Sequence, residues 1–248
     1  MQGAPRLLKR VALGGLGLEA WDVSNCHPTI IKQLAERQGF TCPVIAEYLE
    51  RKDEIRSQLE SDIGLTRPEV KSCLLAVFYG SRLRSDDTKD AVHKEVGLER
   101  SKTFFAHQFV RRLIDELQRV GRPIERAWPR SAGGYLINAA GMAYNGKQRV
   151  MDGKKDTWST RLAHVVQGLE VAALHAVVTA FGDKLVLLEH DGWTSHAGLN
   201  RTAVEAVIFR GTGLRLSVEC EPITTPTAGA LLKREGIEPQ LGQWVASV

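Results

Sequence analysis

Apolar positions recur at helical spacing through most of the chain, and only a few short runs are continuous or alternating. "HPTIIKQLAERQG" predicts a helix that opens near Pro28 and stops at Gly39. "PVIAEYLERKDEIRSQLESDIG" predicts a second, opening after Pro43 and heavily charged on one face. Thr66 with Glu69 three residues on is a capping-box signature, and it starts a third helix in "TRPEVKSCLLAVFYGS". "FFAHQFVRRLIDELQRVG" reads as one amphipathic helix closed by Gly121, and "TRLAHVVQGLEVAALHAVVTAFG" as a long one closed by Gly182. "AVEAVIFRGTG" is the last helix. Strands are fewer: "LEAWDVS" from Leu18, ending at Asp22; "LVLL" (Leu185–Leu188), buried and running into a turn at His190-Asp191-Gly192; and "RLSVECEPI". Residues 82–90 are polar and read as a surface loop, residues 1–16 as a basic, Gly-rich lead-in. The stretch from Pro123 to Trp158 lacks periodicity and is read as a long, basic, irregular connection. Helices interleaved with a few strands point to an α+β fold around a small sheet.

Composition narrows the class without deciding it. The 248 residues are 43% hydrophobic and 25% charged, with a net charge of +4, as for a globular protein with a sizeable core and a mildly basic surface. Cys26, Cys42, Cys73 and Cys220 have neither metal-site nor disulfide-framework spacing, so reduced thiols in a reducing compartment are expected. His93, His107, His164, His175 and His196 form no ligand-spaced set, and His164 reads as a satisfied helix histidine. No uninterrupted apolar run approaches a membrane span and no signal-peptide core is present, so an intracellular, cytoplasmic location without membrane partners is expected.

Two places carry candidate chemistry. Asp22 and Asp191 both follow apolar strand-like runs, and carboxylates brought together at one sheet edge suit hard divalent cations such as Mg²⁺. Taken singly, Asp22 also reads as a cap for the next helix and Asp191 as an Asx turn with Gly192. On the helix from Thr66, Lys71 lies about 40° and Tyr79 about 120° from Arg67 around the axis. Two cations and an aromatic ring on one broad face suit a nucleoside triphosphate; a solvated basic face with a core tyrosine is the plainer reading.

Taken together, these elements resemble a known family. Arg67-x3-Lys71-x7-Tyr79-Gly80 resembles motif B of the family A DNA polymerases and the related single-subunit, phage-type RNA polymerases. "WDVSNCHP" around Asp22 resembles motif A, "EHDGW" around His190 and Asp191 resembles motif C, and "RLAHVVQGLEVAALHAVV" resembles the helix before motif C, with its glutamine at Gln167. The order is that of the family, and the likeness is confined to these short motifs between about residues 20 and 220.

The resemblance implies a polymerase palm, a small antiparallel sheet, at about 17–40 and 159–248, and helical fingers at about 41–158, in one polymerase-like unit spanning 1–248. It implies template-directed addition of nucleotides to a primer 3′-hydroxyl, with nucleoside triphosphates and a primer-template as partners. Asp22 and Asp191 would hold two Mg²⁺ ions, with Mn²⁺ as the substitute. Lys71 would neutralise the triphosphate and protonate the leaving group, Arg67 would grip the distal phosphate, Tyr79 would pack on the base, and Gly80 would let the backbone approach. Gln167 and His190 would lie along the primer terminus. The fifth residue after the motif A aspartate, here His27, would lie near the 2′ position of the nucleotide; its bulk favours DNA synthesis, whereas a hydrogen bond from it to a 2′-hydroxyl would favour RNA synthesis. A single-subunit RNA polymerase and a catalytically silent nucleic-acid-binding subunit of this fold are the rival readings. Only 21 residues precede Asp22, so a reduced or absent thumb, or one supplied by a partner subunit, is expected. So is a minimal or divergent member from a virus or mobile element, acting in an infected cell, or a palm-and-fingers piece of a longer enzyme. Trp128, Tyr135, Tyr144 and Trp158, interleaved in the basic stretch from Arg122 to Arg161, are candidates to stack single-stranded template.

Overall fold

The computed structural model describes residues 11–81, 90–153, 156–189 and 192–224. They form a mixed α/β structure in which helices predominate and the one sizeable sheet is antiparallel. The described residues divide into two compact units: one from 11–24, 177–189, 192–207 and 217–224, the other from 25–81, 90–153, 156–176 and 208–216.

The first unit holds the sheet. Its strands are β1 (Leu18–Val23), β4 (Leu185–Leu188), β5 (Gly192–His196) and β6 (Val218–Pro222), in the order β4-β5-β1-β6. β1 is central and antiparallel to both neighbours: Trp21 faces Trp193 on β5 and Cys220 on β6. The Trp21 and Trp193 rings lie parallel, 8° between planes and 5.9 Å between centroids, and both are buried. The strand around Asp22 therefore rests on a buried pair of stacked indoles. β4 is not the buried strand that its apolar run predicts. It lies at the sheet edge, is half-buried to exposed, and pairs with β5 through a register shift between Leu185 and Leu187.

The second unit is helical. α1 (Cys26–Arg37) follows Asn25 in the left-handed conformation (φ 48°) and buries Ile30, Ile31, Leu34 and Ala35. The single helix expected from Pro43 is two, α2 (Pro43–Glu50) and α3 (Lys52–Ile63), with non-helical dihedrals at Arg51. Arg51 donates to Glu54 at 2.8 Å, while Glu116 accepts from the first amides of α2, Val44 N at 3.1 Å and Ile45 N at 2.8 Å. A buried carboxylate thus satisfies donors that a helix start leaves open. α4 (Arg67–Phe78) opens with the expected reciprocal box: the Thr66 hydroxyl accepts from Glu69 N and the Glu69 carboxylate accepts from Thr66 N at 2.8 Å. The polar stretch after Ser81 lies outside the described residues through 89.

α5 (Ala91–Val96) and α6 (Leu98–Ala106) precede α7 (Gln108–Ala127). The one helix expected from Phe104 breaks at His107, which is extended (φ −61°, ψ 134°) and whose Nδ1 accepts from Phe109 N at 3.3 Å. Nor does Gly121 end α7, which runs through it and Pro123 to Ala127. Gly121 serves packing instead, since a Cβ there would lie 2.5 Å from the Trp158 ring. The stretch from Pro123 is accordingly less irregular than expected: after α7 come a hairpin of β2 (Leu136–Ile137) and β3 (Ala143–Tyr144) and then α8 (Gly146–Met151).

α9 (Trp158–Phe181) ends as the sequence predicts, before a 3-10 turn at Gly182–Lys184. With that turn it is long and apolar enough, by length and composition, to cross a membrane, which counting uninterrupted runs did not find. Polar residues such as Gln167 and Glu170 interrupt the run in sequence, whereas Leu162, Val165, Val166, Leu169 and Ala173 are buried. α10 (Arg201–Thr212) completes the elements.

Candidate nucleotide-binding site

Asp22 is an exposed residue of β1. It does not cap the helix after it, because Asn25 holds the N-cap position. Its register partner on β5 is Gly192, the residue after Asp191, and a Cβ on Gly192 would lie 2.1 Å from the Trp21 carbonyl oxygen. Only glycine lets β5 approach β1 this closely. On the other side Asp22 pairs with Glu219 of β6, also exposed, so two carboxylates occupy directly opposed positions. Like charges so placed destabilise a ladder unless a cation relieves them. His190 and Asp191 lie outside the described residues.

The second group stands on α4. Arg67 starts the helix and is fully engaged: it pairs with Asp53 and with Glu60 (3.0 Å) and reaches Ser57 Oγ at 3.2 Å, all on α3. These contacts tie two helices together on the surface, which the spacing of Arg67 and Lys71 alone does not reveal. Lys71 is exposed. Leu75, one turn on, is 41% exposed, large for a leucine amid a packed helix. Tyr79 is the C-cap residue, about 12 Å along the axis from Lys71 at 1.5 Å per residue. Lys71, Leu75 and Tyr79 thus line one edge of α4 at successive turns, cation at one end and phenol at the other.

Tyr79 meets His27. The Tyr79 Oη lies 2.8 Å from Nε2 and 3.3 Å from Nδ1 of the imidazole, and the rings meet edge to face at 4.8 Å. The His27 Nε2 is also 3.2 Å from the Glu170 carboxylate on α9. His27 comes from the first turn of α1, so three helices each contribute one member. Gly80 has φ +88°, and a Cβ there would sit 2.2 Å from Ser159 Cβ. The close approach that Gly80 permits is thus to the start of α9. Gln167 is exposed on α9, beside Gly168, whose missing Cβ makes room for Asn138 in the β2–β3 hairpin. His164 is satisfied locally, its Nε2 2.9 Å from the Met142 carbonyl.

The aromatic residues of the basic stretch are mostly occupied. Trp128 donates to the Ile137 carbonyl at 2.7 Å, and Tyr144 is buried with its hydroxyl on Asp156 and Thr160. Burial and the neighbouring carboxylate hold the Tyr144 phenol above its ordinary range. Arg122 covers the Trp158 ring at 5.9 Å, while Arg130 and Arg161 both bind the buried Glu125. Of the four rings Tyr135 is the exposed one, at 50%.

Sequence reasoning missed Glu170, Glu219 and Leu75. Glu170 had a signal, being the sole charged side chain between Leu162 and Phe181. Glu219 had none, because its place opposite Asp22 depends on strand order.

No family model matches the sequence, and no curated protein matches it. Among solved structures, the chain is similar to the POL domain of Pol1 from M. smegmatis in complex with DNA primer-template and dNTP, at 15% identity and a TM-score of 0.49. The match covers 84% of this chain, which spans 40% of the length of that one.

Proposed function

We propose that this chain is a template-directed nucleotidyltransferase that adds deoxynucleotides to a primer 3′-hydroxyl, in the manner of the family A DNA polymerases. The observation that carries this reading is the contact of His27 with Tyr79, 52 residues apart in sequence and 2.8 Å apart in space. The motif resemblance assigns the first to the nucleotide sugar and the second to the base, and neither composition nor periodicity gives a reason for them to touch. In this reading the palm is the stretch of about 17–40 and 159–248, which includes the sheet, and the fingers are the helices of about 41–158.

In the reaction, the primer 3′-oxygen forms a bond to the α-phosphorus as the bond to the bridging β-phosphate oxygen breaks, and pyrophosphate leaves. Such chemistry needs positioning and charge neutralisation more than covalent participation. Lys71, exposed on α4 and in no ion pair among the described residues, neutralises the triphosphate and gives the leaving group its proton. Arg67 reaches a phosphate only by leaving Asp53 and Glu60, so its share is smaller than the motif implies. Asp22, exposed with Glu219 opposite it, offers the hard oxygen donors that Mg²⁺ takes, and the motif resemblance adds Asp191 to them. Bound there, the ions would supply Lewis-acid activation of the 3′-oxygen and charge relief for the departing pyrophosphate.

His27 acts through bulk. Its Nε2 edge is taken by Tyr79 and Glu170, which leaves that nitrogen nothing to offer a 2′-hydroxyl. Primer extension with dNTPs and NTPs offered separately, on DNA and RNA templates, tests the proposal. The wild-type chain incorporates dNTPs, and His27→Gly relaxes discrimination toward NTPs by about tenfold or more, a few contacts' worth of lost exclusion. If His27→Gly instead cuts NTP use while sparing dNTPs, the enzyme is an RNA polymerase. No incorporation of either class on any template returns the chain to a nucleic-acid-binding subunit.

A further inference from the structure

Glu170 stands amid an apolar helix face, its side chain 12% exposed, and the partner within its reach is His27, equally enclosed. Burying a carboxylate is costly unless it is hydrogen-bonded, so the contact is the condition on which Glu170 is tolerated there. An ionised carboxylate only accepts, so the His27 Nε2 at 3.2 Å must carry the hydrogen between them. That fixes the tautomer, and with it what the rest of the ring does. The Tyr79 oxygen accepts at the same N–H or turns its own hydrogen toward Nδ1, 3.3 Å away. Without Glu170, Nε2 is free to become the acceptor for the Tyr79 hydroxyl. Its opposite edge would then present an N–H instead of a lone pair.

We propose that Glu170 is a positioning residue. It holds the His27 ring in its Nε2–H form and in one orientation, and through that ring it sets which sugar the nucleotide pocket accepts. The ring so held presents bulk; the ring released rotates about its side-chain bonds and offers a donor, which a ribose 2′-hydroxyl can accept. The selection of the sugar rests on the polymerase reading. The tautomer and orientation of His27 do not depend on it.

The test uses the full chain and two readouts: the nitrogen-15 ring signals of His27, identified by their loss in His27→Gln, and the ratio of dNTP to NTP incorporation on one primer-template. Glu170→Met removes the acceptor at similar length, and Glu170→Gln keeps a neutral acceptor. Glu170→Met is expected to abolish the Nε2–H signature and to lower the ratio about tenfold, the scale of one charge-assisted hydrogen bond. Glu170→Gln should recover both in part. A merely structural role slows both nucleotide classes by the same factor and leaves the ring signature unchanged, and that result overturns the proposal. So does an unchanged ratio with unchanged ring signals in Glu170→Met. If the wild-type chain incorporates nothing, the ring signals decide alone. Loss of the tautomer in Glu170→Met then upholds the positioning role while the polymerase reading falls, and its persistence ends both.

Discussion

Gly80→Ala separates a packing glycine from one reserved for ligand approach. The position has φ +88°, a region that costs an L-residue about 1–2 kcal/mol. The new methyl would also lie 2.2 Å from Ser159 Cβ and 2.6 Å from its Oγ. No rotamer moves a Cβ aside, so the start of α9 must shift, an overpacking cost of about 1–3 kcal/mol. Together these predict a loss of about 2–5 kcal/mol, or a drop in Tm of about 4–20 °C at this chain length. Urea unfolding followed by far-UV circular dichroism reads the loss, on Gly80→Ala, Ser159→Gly and the double variant. Ser159→Gly removes the obstructing carbon, so the pair should show a favourable coupling of about 1–3 kcal/mol, with only the backbone term remaining. If Gly80→Ala costs less than about 0.5 kcal/mol, the range of ordinary surface changes, the close approach of α9 to Gly80 is refuted.

Two further predictions address the site and its surroundings. Lys71→Ala should lower single-nucleotide incorporation by about 10²–10⁴-fold, the scale of a lost acid or charge-stabilising group, with the urea midpoint unmoved because the side chain is exposed; unchanged kinetics return α4 to a solvated surface helix. Burial pushes the Cys73 thiol up to about 12 and the Cys42 thiol up to about 11, with Glu95 and Glu116 adding to the respective shifts. Cys26 is also buried, so a thiol reagent near pH 8 should label Cys220 first and the other three only on unfolding. Burial and then Glu19 raise the Cys220 thiol as well, so its labelling rate should climb about tenfold per pH unit through the mildly alkaline range. Two fast thiols at pH 8 would contradict this burial.

What the sequence made legible was local. Thr66 and Glu69 stand three residues apart and cap α4 by themselves, and Gly39 and Gly182 end or follow helices whose period is plain. The apolar run at Leu185–Leu188 announced a strand, but not that it lies at an edge, because edge or centre depends on which strands pair. Breaks at Arg51 and His107 were invisible because the apolar period continues across them. Gly121 was misread as a stop because its reason, the Trp158 ring, is 37 positions downstream in the numbering and adjacent only in space. In the candidate site, Asp22 was proposed from its strand-end context, Lys71 and Tyr79 from helical spacing, and His27 from the motif resemblance. Glu170 was not, for its contact with His27 joins positions 143 residues apart.

Tyr79, Gln167 and Asp191, three residues to which the motifs give roles, are each followed in the chain by a glycine. A methyl on Gly80, Gly168 or Gly192 would collide with Ser159, Asn138 or the Trp21 carbonyl at 2.1–2.4 Å. Each candidate therefore has a next-door neighbour that admits no growth. In a saturation scan for loss of function, these glycines would score as harshly as the residues beside them, for reasons of packing alone. For the protein's history the same crowding acts as a ratchet. Lineages are free to trade exposed side chains such as Leu75 or Tyr135, but the frame that carries the three candidates can change only by paired substitutions that open space before they fill it.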